Sequence, residues 1–154
     1  MPQTLHPDDP RLTWQGIVSL EKTDDWAMPW RLPFEDRILY VDTLQERAAT
    51  AAGCRISFLS DTSSVAGRIL PADDLSPIDL CCDGDIVGSF PLAGRPGFLF
   101  DRLPPGLKRI ELWLPQFGKF RLRSLELSDG ASVAPVQDSR PKWVTYGSSI
   151  THCR

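Results

Sequence analysis

A short block near the C-terminal end of the sequence contains residue types that could perform nucleophilic chemistry. The run Gly147–His152 reads Gly-Ser-Ser-Ile-Thr-His and follows the apolar segment Lys142–Tyr146. A glycine at the end of a strand lets the chain bend sharply, and a serine at the start of the next helix has free backbone N–H groups beside it. Such donors stabilise an oxyanion, and the exposed hydroxyl can attack a carbonyl carbon. The spacing predicts a nucleophile turn with Ser149 as the attacking residue; a purely structural turn is the alternative.

A serine nucleophile needs a base that accepts its proton. The sequence has two histidines, His6 and His152. His152 follows Ser149 by three positions, and helical neighbours at that spacing can touch, but both side chains would also have to meet the same substrate carbonyl. We therefore expect His152 to pack or cap locally at the start of the helix.

Metal or cofactor chemistry is not indicated by the cysteines and acidic residues. The four cysteines are Cys54, Cys81, Cys82 and Cys153, and they form no Cys-x-x-Cys motif. The acidic pairs form no Asp-x-Asp-x-Asp-Gly calcium loop. We expect no metal and no organic cofactor, and we expect reduced thiols that pack as small hydrophobic groups.

Two of the five tryptophans are candidates for binding carbohydrate. Trp26 and Trp30 lie in the proline-containing segment Asp25–Pro33, which predicts an extended loop or edge segment. Exposed indole rings could stack on pyranose rings there. Packing in the core or between domains is the alternative for such large aromatic side chains.

The elements that must position these residues are predicted to be β-strands. The 14 prolines and 11 glycines divide the chain into about nine short segments, a pattern typical of an all-β sandwich or jelly roll. The strongest signals are the alternation from Cys54 to Leu59, the hairpin turn Asp83-Gly84, and a change of apolar phase that predicts a β-bulge near Ser124. Arg37–Val41 also predicts a strand, and Leu44–Ala52 predicts either a short helix or an extended segment.

The same pattern divides the chain into four parts. We expect a loose N-terminal arm over 1–11, a β-sandwich domain over 12–130, a linker over 131–141, and the first strand of another domain over 142–154. The formal net charge is −3 and the basic residues are scattered, so no nucleic-acid partner is indicated. No apolar run approaches the roughly 18 residues that cross a bilayer, and the first residues do not resemble a secretory signal, which predicts a cytoplasmic protein without a membrane partner.

The block Trp143–His152 resembles the first conserved motif of the SGNH/GDSL hydrolases, which is written Gly-Asp-Ser-Leu or Gly-Ser-Ser-Ile-Thr. The resemblance implies that Ser149 is the nucleophile, that its backbone N–H donates to the oxyanion, and that the reaction is ester hydrolysis or acyl transfer through an acyl-serine, without a cofactor. Upstream segments resemble the β-sandwich that precedes the catalytic domain in one esterase and acyltransferase branch of that family: Leu12–Gly16, Pro29–Pro33, Ile78–Leu80, Asp83-Gly84, Leu112–Pro115 and Leu125–Leu127.

The sequence departs from the family pattern in two respects. Cys153 stands where a glycine is common, and the sequence reaches Arg154 before the family's later glycine, asparagine and Asp-x-x-His blocks. The resemblance therefore implies a fragment of a lipase-like SGNH esterase: a sandwich plus the first strand and turn of an α/β/α domain, inactive alone, whose full-length parent takes a small-molecule ester or acylated substrate.

Two alternatives remain open at this stage. One is a stand-alone carbohydrate-binding module. The other is an interaction module that docks on a catalytic domain or forms a homo-oligomer, and it predicts an exposed apolar patch around Trp143 and Val144.

Overall fold

The computed structural model describes residues 1–141 and Trp143. This part of the chain contains strands β1 (Gln3–Leu5), β2 (Thr13–Gln15), β3 (Ser19–Lys22), β4 (Ala27–Trp30), β5 (Arg55–Ser60), β6 (Val65–Ile69), β7 (Ile78–Cys82), β8 (Asp85–Phe90), β9 (Gly97–Phe100), β10 (Lys108–Trp113), β11 (Leu122–Leu127) and β12 (Val133–Ala134), with a 3-10 turn (Arg37–Leu39) and helix α1 (Asp42–Ala48).

The strands form two antiparallel sheets of six strands each. Sheet A has the order β3-β4-β11-β6-β9, and β1 pairs with β11 as well. Sheet B has the order β12-β5-β10-β7-β8, and β2 pairs with β5 as well. The predicted all-β sandwich is therefore confirmed, while the predicted first strand and turn of an α/β/α domain lie outside the described residues.

Alternating apolar residues from both sheets fill the main core. Ile56 and Phe58 of β5 are fully buried, as the alternation from Cys54 to Leu59 predicted, and Ile110 and Leu112 of β10 are fully buried as well. They share one core cluster with Leu122 of the opposite sheet. Removing this apolar area from water is the main force that holds the two sheets together.

The bulge predicted near Ser124 is present in β11. Leu122 pairs with Ile69 and Ser124 with Arg68, so Arg123 is the extra residue between two successive pairs. The extra residue lets Leu125 point into the core although Leu122 already does. The predicted hairpin turn is confirmed too, since Asp83 and Gly84 have φ of 52° and 94° between β7 and β8, as a type I′ turn requires.

Two local predictions were wrong because strand pairing, which a local pattern does not reveal, decides the structure of each segment. The segment expected to be a loose arm contains β1, which pairs with β11 and buries Leu5 completely. Arg37–Val41, expected to be a strand, instead contains the 3-10 turn, because β-forming residues without a strand partner have no sheet to join.

Helix α1 packs on a second, smaller core. Ala48 and Ala49 join Met28, Trp30 and Leu32 in that cluster. The helix begins at Asp42 with Val41 as N-cap and no side-chain cap, so the predicted start at Leu44 is two residues late. No helix in the described part of the chain is long and apolar enough to cross a membrane.

Candidate functional site

The predicted nucleophile Ser149 and the neighbouring His152 lie outside the described residues, as does the glycine that would bend the turn. Their roles remain predictions. What the structure does describe is the segment that leads toward them and the sandwich surface around that segment.

The predicted linker 131–141 begins as part of sheet B. Val133 lies opposite Ser60 and Ala134 opposite Leu59 of β5. Just before this strand, the backbone N–H and hydroxyl of Ser132 donate to Asp61 at 2.7 and 2.9 Å. The sandwich therefore extends past Gly130, and the path toward Trp143 starts from an ordered strand.

Asp138 ties the later part of this segment to the sandwich. Arg140 donates to its carboxylate at 2.8 and 2.5 Å, and the Arg109 guanidinium of β10 lies 3.7 Å away. The Arg140 side chain, followed by the Arg140 backbone N–H, holds the pKa of the Asp138 carboxyl well below its ordinary value. The carboxylate is therefore ionised at neutral pH and acts as an anchor rather than a proton carrier.

The outer face of sheet B carries a partly buried polar network. Glu111 accepts from Arg109 at 3.0 Å and lies 3.2 Å from the Arg55 guanidinium. Arg55 and Ser57 both donate to the Gln15 side-chain oxygen, at 2.7 and 3.0 Å. The hydroxyl of Ser57 is fully buried and bound to an amide oxygen, which is no proton acceptor, so this serine has no means of activation as a nucleophile.

The described cysteines are equally unsuited to nucleophilic chemistry. Cys54, Cys81 and Cys82 are free and buried, and burial raises the pKa of each thiol. The thiolate is the reactive form, so these groups are inert at neutral pH. Among the described residues, no three His, Cys, Asp or Glu side chains come together as a metal site.

The two candidate tryptophans differ in exposure. Trp30 is buried in the second core, donates its Nε1–H to Glu21 at 2.8 Å and packs on Phe34 with ring centroids 5.4 Å apart. It therefore presents little surface to a sugar ring. Trp26 is half-buried, and the Arg121 guanidinium lies 5.3 Å from its ring centroid.

Trp26 lines a cavity of about 170 Å³ at the edge of sheet A. Arg123, the bulge residue, forms an ion pair with Asp25 at 2.6 Å, and both side chains line this cavity. Sequence reasoning missed both arginines near Trp26, although the alternation of Arg121 and Arg123 with apolar neighbours places them on one outer face. The other lining residues are polar or small: His6, Pro7, Asp8, Lys22, Thr23, Asp24 and Ala27.

Trp143, the described residue beyond the linker, is 88% exposed. Val144 lies outside the described residues, so the apolar patch expected around these two residues stays a prediction. A second exposed apolar group was not anticipated. It comprises Ile38, Leu39, Val41 and Leu44, and its signal in the sequence was the apolar run that was interpreted as a strand.

Comparisons with known proteins identify relatives of this sandwich. The model of the SsfX3 N-terminal domain family matches residues 12–123. The structure of the salicylyl-acyltransferase SsfX3 from a tetracycline biosynthetic pathway is 32% identical, with a TM-score of 0.82, over 91% of this chain and 43% of that chain.

Two further solved structures share the fold. A protein described as a GDSL-like lipase from Bacteroides ovatus is 18% identical, with a TM-score of 0.66, over 90% of this chain and 44% of that chain. A family two carbohydrate esterase from Cellvibrio japonicus is 16% identical, with a TM-score of 0.61, over 91% of this chain and 37% of that chain. The chain thus spans less than half the length of each structure. No curated protein matches significantly.

Proposed function

This chain belongs to the family of SsfX3 N-terminal domains, and on that basis we propose that it is the N-terminal sandwich part of an SGNH/GDSL-type serine esterase or acyltransferase. The observation that carries the proposal is the order of two features along one chain. A sandwich matched over residues 12–123 is followed by the block Trp143–His152, which has the residue types of a nucleophile turn.

In the proposed reaction the Ser149 hydroxyl attacks the carbonyl carbon of an ester. A base accepts the hydroxyl proton, and the backbone N–H of Ser149 donates to the oxyanion of the tetrahedral intermediate. The alcohol then leaves with the proton, and an acyl-serine remains. Water, or a second alcohol in acyl transfer, attacks that acyl group and regenerates the serine.

We further propose that a polypeptide of these 154 residues has no esterase activity by itself. His6, the histidine within the described residues, lines the cavity beside Trp26 on sheet A. The other histidine, His152, is too close to Ser149 along the chain to serve both serine and substrate. Without a separate base the serine hydroxyl stays a weak nucleophile.

Labelling with a fluorophosphonate probe tests the proposal directly. We expect the 154-residue polypeptide to hydrolyse p-nitrophenyl acetate no faster than buffer does. We expect the polypeptide read from the gene through the codons after Arg154 to be labelled at Ser149. Ser149→Ala should abolish this labelling and Ser148→Ala, the matched control, should keep it; labelling at any other residue would reject the assignment.

A second candidate, a carbohydrate-binding function of the sandwich, is favoured by Trp26. Its half-buried ring borders a cavity that also contains Asp24, Asp25 and Thr23, which are groups that can bind sugar hydroxyls. Calorimetric titration of the 154-residue chain with xylo- and gluco-oligosaccharides checks this. Trp26→Ala should remove any binding, Trp30→Phe should not, and absence of heat at millimolar sugar would reject the module.

We also propose a reducing, cytoplasmic location for the protein. The support is that Cys54, Cys81 and Cys82 are all free and buried in the sandwich. In an oxidising compartment the adjacent cysteines Cys81 and Cys82 could form wrong disulfides during folding. Thiol titration of denatured protein isolated from its native cells should find all four cysteines reduced. A disulfide would place the protein elsewhere.

A further inference from the structure

The largest group of exposed apolar side chains within one described segment lies between the 3-10 turn and helix α1. Ile38 is 78% exposed, Leu39 78%, Val41 71% and Leu44 47%. We call these four residues the α1 patch. Elsewhere in the described residues, exposed large apolar side chains come singly or as adjacent pairs such as Ile86-Val87. Clusters of this kind mark interaction surfaces more often than isolated exposed residues do.

The α1 patch is held in place by its own backbone and by the second core. The backbone N–H of Leu39 donates to the backbone carbonyl of Asp36, and that of Leu44 donates to the backbone carbonyl of Val41, both at 2.9 Å. The Gln45 amide donates to the Tyr40 carbonyl at 2.8 Å. Because Ala48 at the end of α1 is buried, the exposed apolar side chains belong to a fixed surface and not to a frayed loop.

The direction of strand β12 brings the later chain toward the end of the sandwich near which helix α1 ends. Residues 49–54 connect α1 to β5 at Arg55, and Cys54 is buried in the main core, so the C-terminal end of α1 lies near the end of the sandwich where β5 begins. Strand β12 is antiparallel to β5, with Val133 opposite Ser60 and Ala134 opposite Leu59. The chain that leaves β12 therefore runs toward the Arg55 end.

We propose that the α1 patch is the surface on which the hydrolase domain of the same polypeptide packs. This inference rests on the function proposed above. In the SsfX3 structure the matched region is 43% of the chain, so a larger part of that relative is available to cover surfaces of its sandwich. Asp36, Arg37, Asp42 and Glu46 are its neighbours in the sequence, so charged side chains accompany the apolar ones, as they do at protein interfaces.

The size of the patch favours a tethered domain over a second copy of the chain. Four side chains expose on the order of a few hundred Å², whereas a stable complex of separate proteins buries about 800 Å² per partner. A tether raises the effective concentration of the attached domain to about the millimolar range, so a smaller contact suffices. The chain that follows β12 provides that tether.

Hydrogen exchange tests the proposal in the polypeptide read from the gene through the codons after Arg154, with the 154-residue chain as reference. We expect the amides of 38–44 to exchange at least about tenfold more slowly in the longer polypeptide, because a packed surface must open before it exchanges. The double variant Ile38→Ser with Leu39→Ser should restore the rate of the 154-residue chain within about twofold. Ile86→Ser, a control of the same residue type and 75% exposed, should leave the protection unchanged.

Three results would overturn the inference, and fluorophosphonate labelling distinguishes failure of the docking inference alone from failure of the proposed function. Equal exchange in both polypeptides, with Ser149 labelled in the longer one, would reject the α1 patch and leave the function standing. Protection that rises with the concentration of the 154-residue chain would assign the patch to a second copy. Absence of labelling at Ser149 would reject the function, and the docking inference with it.

Discussion

The guanidinium of Arg109 on strand β10 lies 3.7 Å from the carboxylate of Asp138, and the same guanidinium binds Glu111 at 3.0 Å. One side chain thus joins the outer face of sheet B to the segment that precedes Trp143. Together with the pairing of β12, this contact gives the segment a defined path, whereas a proline-containing linker without partners would have none.

Replacing Asp138 should loosen this segment without unfolding the sandwich. Asp138→Asn removes the charge that Arg109 and Arg140 share, so we expect the amides of residues 135–141 to exchange roughly three- to tenfold faster, as in a locally opened segment. The melting temperature should change little, because these ion pairs hold a peripheral segment that contributes no residue to either buried core.

Asp129→Asn is the matched control for this experiment. Its carboxylate pairs with the N-terminal amine at 2.7 Å, so the variant removes an exposed ion pair at a different site. Faster exchange of residues 135–141 in this control, or unchanged exchange in Asp138→Asn, would show that the Arg109 contact does not hold the segment.

The sequence predicted those features whose causes are local. The alternation from Cys54 to Phe58 placed the core face of β5 correctly because the strand period is two residues. The turn at Asp83-Gly84 was predictable because few residue pairs adopt positive φ. The bulge near Ser124 followed from a phase change that a regular strand cannot accommodate.

Features that depend on distant partners were not predictable from the sequence. Residues 3–5 form a strand because β11, more than a hundred positions later, has a free edge for them. Arg37–Val41 has the composition of a strand but meets no sheet. Trp30 and Trp26 lie four positions apart, yet their different burial depends on helix α1 and on Arg121, which no pattern near Trp30 reveals. The role of Ser149 remains a prediction.

Gly67→Ala should destabilise the sandwich through Phe98. A Cβ at position 67 would lie 2.3 Å from the ring Cζ of Phe98, which is itself buried in the core. Because a buried ring cannot move freely, we expect a loss of roughly 1–3 kcal/mol in the free energy of unfolding, as for other overpacked cores. Urea denaturation measures it.

Gly88→Ala provides the control for this substitution, since its Cβ would meet Phe100 at an ordinary 3.5 Å. We expect that variant to lose less than about 1 kcal/mol. Combining Gly67→Ala with Phe98→Leu should recover part of the loss, because the two sites share one space. Additive losses in the double variant would contradict the proposed clash.

Trp30 should contribute more to stability than Trp26. Trp30→Phe removes the Nε1–H that donates to Glu21 at 2.8 Å and leaves a gap beside Phe34, so we expect a loss of about 2 kcal/mol or more in the free energy of unfolding. Trp26→Phe changes a half-buried ring and should cost less than about 1 kcal/mol. Chemical denaturation of both variants decides the point; equal losses would mean that Trp30 is not a core residue.

The buried thiol of Cys54 should make the sandwich less stable at alkaline pH. Burial raises the pKa of Cys54 to about 11 from an ordinary value of 9.0, and its Sγ–H donates to the Gly16 carbonyl at 3.3 Å. The folded state therefore favours the neutral thiol. The resulting stabilisation is fully present below pH 9 and is lost as the pH rises through 11, because the unfolded thiol ionises first. One pKa unit corresponds to about 1.4 kcal/mol, so we expect a loss of about 2 kcal/mol between pH 8 and pH 11.

Comparison with Cys54→Ala isolates this contribution, since lysines, tyrosines and the other cysteines titrate in both proteins. The variant starts from a lower stability because it leaves a small cavity, but its stability should fall less steeply between pH 9 and pH 11. Urea denaturation of both proteins across that range gives the difference in slope. Parallel pH profiles would mean that Cys54 ionises as easily in the folded chain as in the unfolded one, which would contradict its complete burial behind Gly16.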